Sequence, residues 1–167
     1  LSANMHNRIS KSEQKTTNIK RYMIDKWTIN TVKQYLIEKG IKPSVQRIAV
    51  MGYLLEHRTH PTVDEIYSAL QDRIPTLSKT TVYNTLKLFA EKKAIQSITI
   101  DERMVHFDGY RERHAHFLCQ SCGKVIDVPL DYDVELPKTE QTKGFADVET
   151  HVYHRGYCSE CTEKNNK

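Results

Sequence analysis

Two cysteine pairs of the form Cys-x-x-Cys constrain this chain more than any other feature of its sequence. Cys119 and Cys122 form the first pair, Cys158 and Cys161 form the second, and 35 residues separate the pairs. A two-residue gap lets both sulfurs of a pair reach one tetrahedral ion. Because this interval exceeds the roughly 15–20 residues of a zinc ribbon, the ion is expected to close a whole subdomain. The four thiolates suit Zn²⁺, and disulfides or a dithiol redox pair are the alternative.

Charge is divided unevenly along the 167 residues. Residues 1–108 have a net charge of +6, and residues 109–167 have a net charge of −2. The basic first part is a candidate for binding nucleic acid, with an ordinary solvated surface as the alternative. No apolar run is long enough to span a bilayer, and the charged start lacks the apolar core of a secretory signal. A cytoplasmic location is therefore expected, where cysteines favour metal binding over disulfides.

The pattern of residues 27–108 predicts a winged helix, preceded by a basic arm over residues 1–26. Helical periodicity runs from Thr28 to Gly40, and again over 44–57, 60–71 and 77–95. Two alternating segments, 95–100 and 103–108, predict a hairpin. Helices followed by a two-stranded ribbon are the order of a winged helix, whose last helix enters the major groove of DNA.

The helix predicted over residues 77–95 has two different faces. Its apolar side chains, Val82, Leu86 and Phe89, are expected to point inward. The opposite face carries side chains that suit phosphates and base edges, namely Lys79, Thr80, Tyr83, Asn84 and Lys87. A solvated helix face is the alternative interpretation of this row.

The chain changes character after Gly109, and residues 109–167 are predicted to form a small α/β dimerisation domain. Strands are expected in "HAHFLCQ", "KVIDV" and "ADVETHVYHRGYC", and a turn with a short helix in residues 131–145, with Pro137 in its first turn. So short a unit buries little surface alone, so pairing with a second copy is expected. The predicted fold class is α+β, with an N-terminal winged-helix DNA-binding domain followed by this domain.

The segment "HAHFLCQSCGKVID" adds a second group of metal-ligand side chains. Alternate side chains of a strand share a face, so His114 and His116 are expected to point away from Cys119. The two histidines therefore predict a separate site, which the nearby Asp108 and Asp127 can complete. Nitrogen and oxygen ligands suit Fe²⁺, Mn²⁺ or Zn²⁺. A pair of surface histidines is the alternative.

Five segments together resemble the ferric uptake regulator (Fur) superfamily, over about residues 28–162. They are "HPTVDEIY", "LSKTTVYNTLKLF", "HFD", "HAHFLCQSCG" and "CSEC". The resemblance implies a homodimeric, metal-responsive repressor that binds an operator in double-stranded DNA, with structural zinc on the four cysteines. It also implies a regulatory Fe²⁺ or Mn²⁺ site formed by His60, Asp108, His114, His116 and Asp127. His60 enters through the resemblance alone, since a histidine before proline is usually a turn residue.

One position favours the peroxide-sensing, PerR-like branch of this superfamily. Asp108 stands six residues before His114, whereas iron-uptake regulators more often carry Glu there; an iron- or zinc-uptake regulator is the alternative. The chain departs from the family at "SVQR" (44–47), where Thr-Pro-Gln-Arg is usual, but it keeps Arg47, which we count among the DNA contacts. Ala115 replaces a ligand-bearing residue of many iron regulators, and the arm is longer than usual.

A regulatory ion held by both halves of the chain is expected to fix the angle between them. In a dimer that angle sets the spacing of the two recognition helices. The resemblance to peroxide sensors implies oxidation of a ligating histidine, His60 or His114, which would open the site and lift repression. An enzyme is not expected, because the sequence shows no paired base, no Ser/His/Asp arrangement and no phosphate-binding glycine loop. A metalloenzyme and a constitutive DNA-binding module with structural zinc alone are the alternatives from other classes.

Overall fold

The computed structural model describes residues 28–110 and 112–165, so the predicted arm over residues 1–26 lies outside the described residues. The described residues begin with four helices: α1 (Ile29–Glu38), α2 (Val45–Glu56), α3 (Val63–Leu70) and α4 (Lys79–Glu91). Before each helix, the hydroxyl of a Thr or Ser accepts a hydrogen bond from the backbone N–H three residues later. These caps satisfy amides that a helix start leaves free. Thr62 and Glu65, which have the three-residue spacing of a capping box, form a complete one.

The apolar faces of the four helices share one core. The predicted inward positions of α4 are confirmed, since Val82, Leu86 and Phe89 are all fully buried. Helix α4 is shorter than the predicted 77–95, because Lys93 adopts a left-handed backbone (φ 50°) and Ala94 N–H donates to the carbonyl of Phe89 at 2.8 Å. No helix among the described residues is both long and apolar enough to cross a membrane.

The predicted hairpin is present after α4, with shorter strands than expected. Strands β1 (Gln96–Ile98) and β2 (His106–Asp108) are antiparallel, and Gln96 lies opposite Asp108. Residues 99–105 form the connection instead of extending the strands, and in it the Asp101 carboxylate accepts the backbone N–H of Arg103 at 2.9 Å. The described part of the chain up to residue 108 therefore has the helix and ribbon order of a winged helix.

A three-stranded sheet follows, with β3 (His114–Cys119) in its centre. Strand β4 (Val125–Pro129) pairs with β3 in antiparallel fashion, and β5 (Tyr153–Gly156) pairs with it in parallel. Two expectations need correction here. The strand predicted over 146–158 is limited to the four residues that pair with β3, and the predicted short helix is a 3-10 turn (Glu140–Thr142) that begins after Pro137. Helix α5 (Ser159–Asn165), which was not predicted, follows β5.

The hairpin and the second sheet contact each other through a small apolar cluster. Ile98 and Ile100 of the hairpin region are fully buried there against Val125 of β4. Arg155 of β5 adds a polar link, since its Nη2 donates to the carbonyl of Ile100 at 2.7 Å. In this arrangement the hairpin lies beside the sheet, and the end of β2 lies next to the start of β3.

Candidate metal centres

Two groups of metal-ligand side chains are present among the described residues. One contains Cys119, Cys122, Cys158 and Cys161, and the other contains His60, Asp108, His114 and His116. Within each group, the ligand atoms lie within 4.8 Å of one another. Strand β3 contributes to both, with its histidines at one end and Cys119 at the other. The structure thus separates the two sets, as the alternation of side chains along a strand predicts.

The cysteine cluster, as we call the four-cysteine group, is built by a tight turn after β3. Gly123 N–H donates to the carbonyl of Cys119 at 2.8 Å, and Gly123 adopts the left-handed conformation (φ 71°) that glycine accepts at little cost. Cys122 Sγ lies 3.9 Å from Cys158 Sγ. Four thiolates bound tetrahedrally at about 2.3 Å would lie about 3.8 Å apart, so this spacing fits zinc. All four cysteines are free thiols.

The backbone around the cysteine cluster favours the thiolate form of Cys119. Backbone hydrogen bonds from Cys122 and Cys158 lower the pKa of Cys119 to about 6; Cys158 N–H is directed at Cys119 Sγ over 3.4 Å. Because a thiolate is the form that binds metal, Cys119 is prepared for a cation at neutral pH.

The second group, which we call the His/Asp cluster, collects side chains from separate parts of the fold. His60 lies in the loop between α2 and α3, Asp108 ends β2, and His114 and His116 lie on β3. Asp127 of β4 completes the cluster, because its Oδ1 lies 2.7 Å from His60 Nε2 and 3.2 Å from His114 Nε2. All five residues of the predicted regulatory set are therefore close together.

Distances within the His/Asp cluster match the spacing of a coordination sphere. His114 Nε2 lies 3.0 Å from His116 Nε2 and 3.2 Å from Asp108 Oδ2. Ligands at right angles around an ion, each about 2.1 Å from it, would be about 3 Å apart. Lone pairs that converge at this separation can share one cation.

Burial gives independent support for a cation in the His/Asp cluster. His60, His116 and Asp108 are all at most 4% exposed. Four buried atoms of the cluster lie close to one another without hydrogen-bond geometry: both ring nitrogens of His60, Asp108 Oδ2 and Asp127 Oδ1. Buried polar atoms are nearly always paired in native proteins. These atoms therefore fit a metal ion of the type that nitrogen and oxygen ligands prefer.

The electrostatics of the His/Asp cluster follow from the same proximity. His114 Nδ1 lies 2.6 Å from the carbonyl oxygen of Glu112, so Nδ1 carries the proton and leaves the Nε2 lone pair for the cluster. Burial opposes a charged His114, but Asp108 and Asp127 outweigh burial and raise the pKa of His114 to about 10. Burial also opposes a charged Asp127, but His114 and His60 hold the pKa of Asp127 well below its usual range. Without metal, the carboxylates thus favour a proton where an ion would bind.

His60 has a backbone conformation that is unusual for a residue with a side chain. Its φ is 52°, in the left-handed region, and Pro61 follows it. Such a conformation costs on the order of 1–3 kcal/mol and persists where surrounding contacts hold it. Phe107 N–H donates to the carbonyl of Pro61 at 3.1 Å, and His106 Nδ1 lies 2.7 Å from the carbonyl of His60. Sequence reasoning missed His106, because nothing in "HFD" distinguishes it from a surface histidine.

Tyr110 and Arg58 are two further residues beside the cluster that the sequence did not indicate. Tyr110 N–H donates to Asp108 Oδ1 at 2.7 Å, and the Tyr110 ring packs against His114 with 5.3 Å between centroids. The Arg58 guanidinium stacks 3.8 Å from the centre of the Tyr110 ring, and the Tyr110 hydroxyl donates to Glu112. This layer covers one side of the His/Asp cluster. Arg58 comes from a distant position, and no motif in the sequence marks Tyr110 as the residue that packs on His114.

The predicted DNA-contacting residues fall into two groups. Lys79, Thr80, Tyr83, Asn84 and Lys87 are all exposed on α4. Lys79 Nζ lies 2.6 Å from Asp64 Oδ1 of α3. Arg47 differs, since it is half-buried at the start of α2, where its Nη1 donates to the carbonyl of Lys42 at 2.7 Å.

A helix and ribbon unit joined to a small sheet through a histidine and aspartate cluster defines the class of metal-dependent DNA-binding regulators. A family model described as the ferric uptake regulator family matches residues 38–155. The chain belongs to the ferric uptake regulator family.

Known relatives give finer comparisons. The chain is 34% identical over 134 residues to the peroxide-responsive repressor PerR of Staphylococcus epidermidis. The matched residues cover 78% of this chain and 88% of that protein. It is 34% identical over 135 residues to the peroxide operon regulator of Bacillus subtilis, covering 78% of this chain and 91% of that one. These relatives are regulators, which confirms the prediction that the chain is not an enzyme.

Solved structures support the fold. The ferric uptake regulator Fur of Helicobacter pylori matches with a TM-score of 0.60 at 19% identity, over 81% of this chain and 95% of that one. Fur of Vibrio cholerae matches with a TM-score of 0.58 at 22% identity, over 75% of this chain and 98% of that one. The predicted α+β fold class, with a winged helix followed by a small α/β domain, is confirmed.

Proposed function

We propose that this protein is a metal-dependent transcriptional repressor that senses peroxide through Fe²⁺ or Mn²⁺ in the His/Asp cluster. The observation that carries the proposal is the convergence of five ligand side chains from both halves of the chain on one buried point. His60 and Asp108 come from the helical part and its hairpin, and the other three come from the second sheet. The peroxide-responsive relatives at 34% identity favour peroxide as the signal.

The two halves have different proposed roles, with the boundary between them after Asp108. Residues 27–108 bind DNA and residues 109–167 form the dimerisation domain. Zinc in the cysteine cluster would hold the second unit together, since it joins the turn after β3 to the start of α5. Exposed apolar side chains in the second unit support pairing with another copy: Tyr132, Leu136, Phe145, Val148 and Tyr157 are all at least 41% exposed. Their burial against a partner is favourable by the hydrophobic effect.

DNA recognition is assigned to the exposed row of α4. Lys79 and Lys87 would contact phosphates, while Thr80, Tyr83 and Asn84 can donate to phosphates or base edges. The target is an operator in double-stranded DNA, contacted by two copies of the chain. Arg47, at the start of α2, is retained as a proposed DNA contact. Its neighbour Gln46 connects α2 to the segment before α4, because Gln46 Nε2 donates to the carbonyl of Thr76 at 3.2 Å.

The His/Asp cluster would couple metal to DNA through geometry. His60 and Asp108 move with the winged helix, whereas His114, His116 and Asp127 move with the second sheet. Holding all five together fixes the angle between the units and, in a dimer, the spacing of the two α4 helices. Metal then favours the DNA-competent arrangement, and by linkage DNA tightens metal binding by the same factor.

Peroxide would release the repressor by damaging a ligand. Fe²⁺, if bound, would activate peroxide beside the ligating imidazoles, and the oxidised ring itself would give up the two electrons that reduce peroxide. His60 and His114 are the proposed targets; one oxygen atom of peroxide is added to the ring and the other leaves in water. An oxidised ring no longer presents the same lone pair, so the two halves separate and DNA binding is lost.

The proposal is tested with anaerobically purified protein. Metal analysis should find about one zinc per chain, and a second ion after addition of Fe²⁺ or Mn²⁺. The Mn²⁺ form should select a DNA fragment from a random-sequence library, and that fragment then serves as the probe. Peroxide should release DNA from the Fe²⁺ form and leave the Mn²⁺ form bound. Mass spectrometry should find one added oxygen on His60 or His114.

A different outcome selects the alternative within the family. If the Fe²⁺ form holds DNA through peroxide treatment and neither histidine gains oxygen, peroxide is not the signal. DNA binding that then follows the concentration of Fe²⁺ or Zn²⁺ identifies an iron- or zinc-uptake regulator. DNA binding that ignores a chelator altogether identifies a constitutive module with structural zinc alone.

A further inference from the structure

His60 differs from the other residues of the His/Asp cluster in how its backbone is held. Asp108, His114, His116 and Asp127 all lie on β-strands, whose hydrogen bonds fix the direction of each side chain. His60 lies in a loop and has a left-handed backbone with φ of 52°. Because a residue with a Cβ leaves this conformation readily, His60 needs another contact to keep its ring in the cluster.

The His106 side chain supplies such a contact. Its Nδ1 lies 2.7 Å from the carbonyl oxygen of His60, and both residues are buried. A carbonyl oxygen can only accept, so Nδ1–H is the donor. The bond joins residues 46 positions apart, and it acts on the peptide unit that sets the direction of the His60 ring.

This backbone conformation directs the His60 ring into the His/Asp cluster. Its Nε2 lies 2.7 Å from Asp127 Oδ1, and its plane stands at 89° to the ring of His116 with 5.0 Å between centroids. A small rotation about the His60 backbone would carry Nε2 out of the cluster. His106 itself is outside the ligand set: it does not belong to the group whose ligand atoms lie within 4.8 Å of one another, and its Nε2 lies 3.8 Å from Asp101 Oδ2 instead.

We infer that His106 is a positioning residue for the regulatory metal: its Nδ1–H holds the His60 carbonyl and so aims the His60 ring at the ion. This inference rests on the proposed function of the His/Asp cluster. It gives β2 two linked roles, because the same three-residue strand carries a ligand, Asp108, and the residue that orients a ligand from another loop.

A matched pair of substitutions tests the inference. Asn and Leu have nearly the same shape, but the Asn side-chain amide places an N–H donor where His106 has Nδ1, and Leu has none. We expect His106→Leu to weaken Co²⁺ or Mn²⁺ binding by roughly 10- to 100-fold, the usual loss when an outer hydrogen-bond partner of a metal ligand is removed. His106→Asn should recover most of that affinity. Zinc content and the melting temperature of the protein without regulatory metal identify any variant that fails to fold.

A double substitution distinguishes positioning from general stability. His60→Ala should weaken Co²⁺ binding and change the visible absorption of the Co²⁺ form, which reports the ligands. Adding His106→Leu to His60→Ala should weaken binding no further, because the contact acts through His60. A loss of similar size in both backgrounds would overturn the inference, and so would equal affinity of the Leu and Asn variants.

The same measurements separate the two proposals. If wild type and His60→Ala bind Co²⁺ equally well, His60 is not a ligand, and both the cluster assignment and the role of His106 are wrong. If His60→Ala is weak while His106→Leu binds like wild type, the cluster stands and only the positioning role is overturned.

Discussion

The cysteine cluster and the His/Asp cluster share strand β3, but they join different parts of the molecule. The cysteine cluster takes its ligands from residues 119–161, all within the second unit. The His/Asp cluster takes its ligands from both units and is more deeply buried, since Cys122 is exposed and the ligands from the helical half are not. An ion in the first cluster can only stabilise one unit, whereas an ion in the second sets how two units are arranged.

Ligand chemistry follows the same division. Four thiolates form a closed site that holds zinc permanently, which suits a structural role. Imidazoles and carboxylates accept Fe²⁺ or Mn²⁺ and exchange them more readily. A single strand can thus carry a structural ion at one end and a regulatory ion at the other, provided that the two sets of side chains point to different faces.

The largest expected effect is the loss of the cysteine cluster. Cys119→Ser should abolish zinc binding and unfold or monomerise the second unit, because structural zinc binding contributes directly to folding. Zinc content by elemental analysis and mass by light scattering measure the two effects. A stable dimer with full zinc content would show that the cysteine cluster is not a structural zinc site.

Loss of a ligand from the other end of β3 should have a different result. His114→Ala is expected to keep zinc and the dimer but to lose metal-dependent DNA binding, because its side chain faces away from Cys119. Zinc analysis, light scattering and a DNA-binding titration with Mn²⁺ give the three readouts. Loss of zinc in this variant would mean that the two clusters are not independent, and the contrast between them would fail.

Asp108→Glu is a finer test of the His/Asp cluster. The added methylene keeps the charge and the oxygen ligands but moves the carboxylate at the site, where Asp108 Oδ2 lies 3.2 Å from His114 Nε2. DNA binding with Mn²⁺ or Fe²⁺ should survive, whereas peroxide inactivation of the Fe²⁺ form should slow sharply. The rate of DNA release after peroxide, and the amount of oxygen added to His60 and His114, measure the change. Unaltered peroxide sensitivity would show that the position of this carboxylate does not control the reaction.

The smallest effect is expected on α4, which belongs to neither cluster. Lys79→Ala should weaken DNA binding and reduce its salt dependence by about one charge, because Lys79 is assigned to a phosphate. Tyr83→Ala should also weaken binding, and both variants should keep wild-type metal content. Lys33→Ala makes the same change of charge at an exposed position of α1 and serves as the control. If Lys79→Ala and Tyr83→Ala bind DNA as tightly as this control, α4 is not the reading helix.

The residues around Thr62 and Cys119 show which structural features a local sequence pattern can predict. Thr62 and Glu65 form the capping box that their spacing predicts, and α3 begins after it, three residues later than the predicted segment. The alternation of β3 separates His116 from Cys119, as expected. These features depend on neighbours within a few residues, so backbone geometry alone determines them. The predicted ends of strands and helices were less accurate. A strand ends where its pairing partner ends, and a helix ends at a left-handed residue such as Lys93.

The helix and ribbon order and the separation of two ligand sets could be predicted from local patterns, and His60 was included through a family resemblance. Three contacts are visible only in the folded molecule: His60 turns its ring to Asp127, His106 donates to the His60 carbonyl, and Tyr110 packs on His114. The first two contacts join distant parts of the chain, since His106 and His60 are 46 positions apart and His60 and Asp127 are further apart still. They form only when elements far apart in the sequence pack together, and a pattern of a few residues carries no information about such packing.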